Sequence, residues 1–142
     1  SSVLIMRCFF FIVLMSFLTV GCTTSTITNL TPRQLPRSST GLYPVEAMFK
    51  SNQRTLDHDS MKPLVIFNKQ AYPMNRTRLV EGRWETLIPI PVGTQVVNYH
   101  FKFDYNYNAI MMRNADSKLS PPYQLKIEDN EGSVNLLMER ED

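Results

Sequence analysis

Cysteine, histidine and glycine are scarce in this chain: two, two and five residues of each among 142. Two cysteines cannot build the disulfide-dense scaffold of a small secreted domain. Two histidines leave few of the ligands from which zinc sites are made. The glycines form neither a phosphate-cradling loop nor the Gly-x-Ser-x-Gly elbow that presents a nucleophilic serine. Charge of one sign is lacking too, with 15 Lys and Arg against 13 Asp and Glu, a net +2. Without a basic run, no field gathers a polyanion, which argues against nucleic acid as a partner. Nor does any stretch after Cys22 keep apolar residues at i, i+3 and i+4 for three turns, so helices are not expected. No cofactor is implied, and the chain reads as a non-enzyme.

What is present begins with an apolar run. Cys8–Leu18 reads CFFFIVLMSFL, with Arg7 just before it. Eleven helical residues rise about 16 Å, roughly half the bilayer core. That is too short to span and the right length for a signal-peptide core behind a basic start. Met6 is the expected initiator. Leu18-Thr19-Val20-Gly21-Cys22 follows, and it resembles the lipobox of bacterial lipoproteins, with Thr19 where the pattern usually has Leu. The resemblance implies that residues 1–21 are a signal peptide, that cleavage precedes Cys22, and that Cys22 carries palmitate-type acyl chains. Cysteine arithmetic agrees: Cys8 leaves with the leader, and acylation removes the one remaining thiol. Two or three chains suffice for stable attachment where one does not. Thr23, rather than an acid, follows the lipid cysteine; by resemblance to lipoprotein sorting in two-membrane bacteria, that favours the outer membrane. Which side of it the protein faces is left open.

Residues 22–40 are rich in Ser and Thr, with Pro32 and Pro36. They read as a flexible tether to about Ser25, continuing as tether or as a weak edge strand through Ile27, Leu30 and Leu35. The domain proper is expected over residues 41–142. Tyr43, Val45, Ala47 and Phe49 alternate with polar neighbours, and Leu64–Phe67 is a short apolar run. Tyr72–Met74 and Arg78–Val80 suggest shorter strands, interrupted at Asn75-Arg76. Trp84, Thr86, Ile88 and Ile90 share a face, followed by a turn at Pro91-Val92-Gly93-Thr94. The strongest signal is Val97, Tyr99, Phe101, Phe103, Tyr105 and Tyr107 at every second position, with polar residues between them. Tyr123, Leu125 and Ile127 repeat the alternation, and Val134–Met138 closes the series. About seven short strands predict an all-β fold, a small β-sandwich, with a small barrel as rival.

The segment from Trp84 through the Tyr-x-Phe-x-Phe strand is similar to a hairpin of immunoglobulin-like, early-set and fibronectin-type domains, which makes the sandwich immunoglobulin-like by implication. It is also similar to starch- and glycogen-binding modules. That likeness makes Trp84, Tyr105 and Tyr107 candidate sugar-stacking residues, although a tryptophan in phase with Ile88 and Ile90 is expected in the core. Asp57-His58-Asp59 has the composition of a metal half-site, but the expected setting is a solvated loop. Asn108–Pro122 reads as a long connection holding Ile110-Met111-Met112; adaptable methionines make Met111 and Met112 candidate partner contacts. Two functions follow as expectations. One is a membrane-anchored, non-catalytic lipoprotein acting as an interaction or structural module of a cell-envelope assembly, with an envelope protein as partner. The alternative is a surface carbohydrate-binding module with a glycan as ligand.

Overall fold

The computed structural model describes residues Cys22–Asp129; the leader and the closing strand expected at Val134–Met138 lie outside the described residues. The described residues form an all-β two-sheet sandwich of ten strands. They are β1 (Ser25–Asn29), β2 (Gln34–Pro36), β3 (Leu42–Ser51), β4 (Leu56–Phe67), β5 (Gln70–Pro73), β6 (Asn75–Arg76), β7 (Arg83–Pro89), β8 (Val96–Ala109), β9 (Met112–Leu119) and β10 (Tyr123–Glu128). One sheet has the order β1-β3-β7-β6. The other runs β2-β10-β8-β4-β5, with β9 also paired to β8.

Alternation explains the core. Tyr43, Val45, Ala47 and Phe49 of β3 and Trp84 and Ile88 of β7 face inward from the first sheet. Val97, Tyr99, Phe101, Phe103 and Tyr105 of β8 face inward from the second, and all are buried. Phe49 stacks on Phe103 at 5.0 Å between ring centroids, and Trp84 meets Phe103 edge-on at 6.4 Å. Burial pushes the Tyr99 phenol above its ordinary pKa, and its hydroxyl donates to Asn29 Oδ1.

β8 is the longest strand and uses both edges. Along one it pairs with β4. Along the other, Val96–Tyr99 pairs with β10 and Lys102–Ala109 with β9. The two partners meet end to end at Ser120-Pro121-Pro122, where prolines cannot donate to the ladder. Ser120 bridges the gap: its amide donates to Phe101 O (2.9 Å), and its buried hydroxyl accepts from Phe101 N (2.8 Å).

Four expectations are corrected. The stretch Asn108–Pro122 is mainly the β8–β9 hairpin, turning at Met111 with φ 66°. Asp57-His58-Asp59 lies inside β4, where the register with β8 slips between Asp57 and Lys62. Ser60 closes that bulge, accepting from Asn106 N at 2.7 Å. Asn75-Arg76 forms the strand and Arg78–Val80 the turn, the reverse of the expected order. Gly82, at φ 75°, sets that turn: a Cβ there would lie 2.7 Å from Phe49 O. Finally, the segment from Trp84 through the aromatic strand is no hairpin, because β7 and β8 lie in different sheets. β7 gives its edges to β3 and β6, so only its inward face is left to meet β8.

Residues between Cys22 and Thr40 add to both sheets. β1 pairs antiparallel with β3, and β2 runs parallel to β10. Ile27 and Leu35 pack against the core.

Ser120→Ala would leave the buried Phe101 amide without its acceptor, at an expected cost of about 1–3 kcal/mol. A denaturant melt measures it; an unchanged midpoint would show that the handover from β9 to β10 does not depend on the hydroxyl.

Candidate functional site

Two places on the molecule gather the residues singled out above. The first is a cavity of 370 Å³ between the end of β3, the β4 bulge and the β6–β7 turn. Phe49, Leu56, Met61 and Trp84 form its apolar wall, with His58 and Arg76 at its margin. Trp84 is buried, and the Arg76 guanidinium covers its ring at 5.0 Å from the centroid. Arg76 also donates to His58 O at 3.0 Å, tying β6 to the bulge. Asp57 is engaged elsewhere: it accepts from Asp59 N at 3.1 Å and from Arg113 of β9 at 2.7 Å. Among the described residues, no three His, Cys, Asp or Glu side chains come together as a metal site. The buried Trp84 Nε1 has no hydrogen-bond partner among the described residues. Lys50, Ser51 and Glu81 also line the cavity.

The sugar-stacking candidates are not brought together on one surface. Trp84 and Tyr105 are core residues, and only Tyr107 is half-exposed. Tyr105 packs on Phe49 at 5.4 Å, so its ring is used inside the sandwich.

The second place is the end of the sandwich where the described chain begins. Asn52, in the turn between β3 and β4, holds the first residues. Its Nδ2 donates to Cys22 O (3.3 Å), its Oδ1 accepts from Thr24 N (2.7 Å), and its own amide donates to Thr24 O (3.1 Å). Beside it stands the β8–β9 turn, fixed by Asn108 N donating to Thr55 O at 2.9 Å. Thr23, Arg54, Thr55, Tyr107 and Ile110 line one shallow groove there. Ile110 and Met111 are 96% and 100% exposed, and Met112 is 67% exposed. Farther along β8, away from that groove, Asp104 is held below the usual carboxylate range by a hydrogen bond from Ser117 of β9 and by Lys102.

A third feature was not anticipated. On the outer face of the first sheet, Leu42 pairs with Pro89 and Pro44 with Leu87, and all four are exposed. The signal was present as apolar residues in both phases at Leu87-Ile88-Pro89-Ile90, where a half-buried strand should alternate.

No family model and no curated protein matches the chain. Among solved structures the chain is similar to that of murine CRIg, at 10% identity and a TM-score of 0.39, over 73% of this chain and 98% of that one.

Trp84 and Phe103 are buried against each other, so Trp84→Ala and Phe103→Ala should each cost about 3–5 kcal/mol in a denaturant melt. On an affinity gel of α-glucan the wild type should run unretarded. A Trp84→Ala variant that keeps its stability while the wild type is retained would transfer the case to glycan binding.

Proposed function

We propose that this protein is a membrane-anchored, non-catalytic lipoprotein that serves as an interaction module in a cell-envelope assembly, held by acyl chains on Cys22 and favouring the outer membrane. The observation that carries the interaction reading is the patch of Leu42, Pro44, Leu87 and Pro89, exposed on the outside of a sheet whose inner face already supplies the core. Uncovered apolar surface on a rigid sheet favours a protein partner, because covering it removes apolar area from water. The lipobox-like run supplies the anchor, and the exposed Cys22 thiol is accessible to acylation. The sandwich places the patch away from that end: Leu42 and Pro89 lie at the far ends of β3 and β7 from Ser51 and Arg83. Glycan binding is the weaker reading, since its tryptophan is covered by Arg76 and packed on Phe103.

Two measurements test the two halves. Cys22→Ser should abolish labelling by a fatty-acid analogue and release the protein from membranes; continued labelling would refute the anchor. Leu87→Glu in the acylated protein should lose an envelope protein that the wild type retains after detergent extraction. The same partner retained equally by both would refute the patch.

A further inference from the structure

The placement of the most exposed apolar side chains is uneven. Among the described residues, five large apolar side chains are more than 60% exposed: Leu79, Val92, Ile110, Met111 and Met112. Four of them crowd the end where Cys22 sits. Ile110–Met112 cap the β8–β9 hairpin beyond Thr55, next to Thr23. Leu79 caps the β6–β7 turn, whose Gly82 O accepts from Phe49 N near the end of β3, the end at which Ser51 pairs with Ser25. Only Val92 lies at the opposite end, in the turn from β7 to β8.

From this we propose that the Cys22 end of the sandwich lies directly on the bilayer, with Ile110, Met111 and Met112 seated at the boundary between headgroups and acyl chains. The proposal rests on acylation of Cys22. An acylated cysteine places its sulfur at the headgroup level, and here the chain has almost no slack. β1 begins at Ser25, and Asn52 binds Cys22 and Thr24 to the β3–β4 turn. The lipid therefore emerges from the folded body itself, beside the hairpin, and the hairpin shares the groove of Thr23 through Ile110. Tyr107, half-exposed one step up the same groove, has the amphipathic ring that favours membrane interfaces. Arg54, exposed in that groove, would meet lipid phosphates when the tip is seated. An apolar tip flanked by an aromatic and a cation matches the layered chemistry of an interface, and the anchor already meets the cost of bringing it there.

The test uses the full chain, processed and acylated, in vesicles of phosphatidylethanolamine and phosphatidylglycerol. An environment-sensitive fluorophore is attached through Ile110→Cys, and through Val92→Cys as the control of equal exposure; mass spectrometry on the same material reports acylation. The expected result is a blue-shifted Ile110 probe, quenched several-fold more by spin-labelled lipid than the Val92 probe. Adding Met111→Glu should return the Ile110 probe toward the aqueous spectrum without loss of acylation. Acylated protein whose Ile110 and Val92 probes are equally aqueous would overturn the membrane contact and leave the lipoprotein reading intact, and a protein partner covering the tip would show the same lack of lipid quenching. Protein without acyl chains would overturn both.

Discussion

Phe101 and Phe103 sit midway along β8, point into the sandwich, and touch both layers: Phe103 packs on Phe49 and Trp84 of the opposite sheet, while Phe101 meets Tyr99 and Tyr123 in its own. The strand that holds them is not an edge of its sheet. Its backbone accordingly pairs with β4 on one side and with β9 and β10 on the other. Everything else in the fold is arranged around that strand. β4 bulges beside it, β9 and β10 share one edge, and Ser120 fills the break between them.

The same strand separates the two ends of the molecule. Fourteen residues at about 3.3 Å each give β8 a length of roughly 45 Å. Cys22 lies at its Ala109 end. At its Val96 end, Ile127 N donates to Gln95 O, and Arg37 pairs with Asp129. The described chain thus begins at one end of the sandwich and finishes at the other. The outward patch around Leu87 belongs to the half away from Cys22, an arrangement that would suit the proposed module, with its base on the bilayer and its patch toward a partner.

What could be read from the sequence was what depends on side-chain phase. Val97 through Tyr105 alternate without interruption, and the strand, its inward face and the all-β class follow from that period. β9 had no such signal: MRNADSKL is exposed on both faces almost throughout, and it becomes a strand only because β8 offers an unpaired edge. β6 is two residues long and equally silent. The sheet change between β7 and β8 was hidden because a Pro-x-Gly turn serves a hairpin and a crossing alike. The docking of Cys22 was hidden for another reason. It depends on Asn52, thirty residues later in the chain, and no local pattern links the two. The apolar Ile110-Met111-Met112 run is visible in the sequence, but its place beside Thr23 is a property of the β8–β9 hairpin, which no local pattern announces.

If β8 is the element on which the fold depends, its central amides must open only when the whole sandwich opens. Amide hydrogen exchange of the folded protein, followed residue by residue, measures this directly. The amides of Tyr99 to Phe103 should exchange slowest and together, with the free energy of global unfolding, while those of β2, β5 and β6 exchange by local fraying. Exchange at Phe101 as fast as at the edge strands would contradict the account.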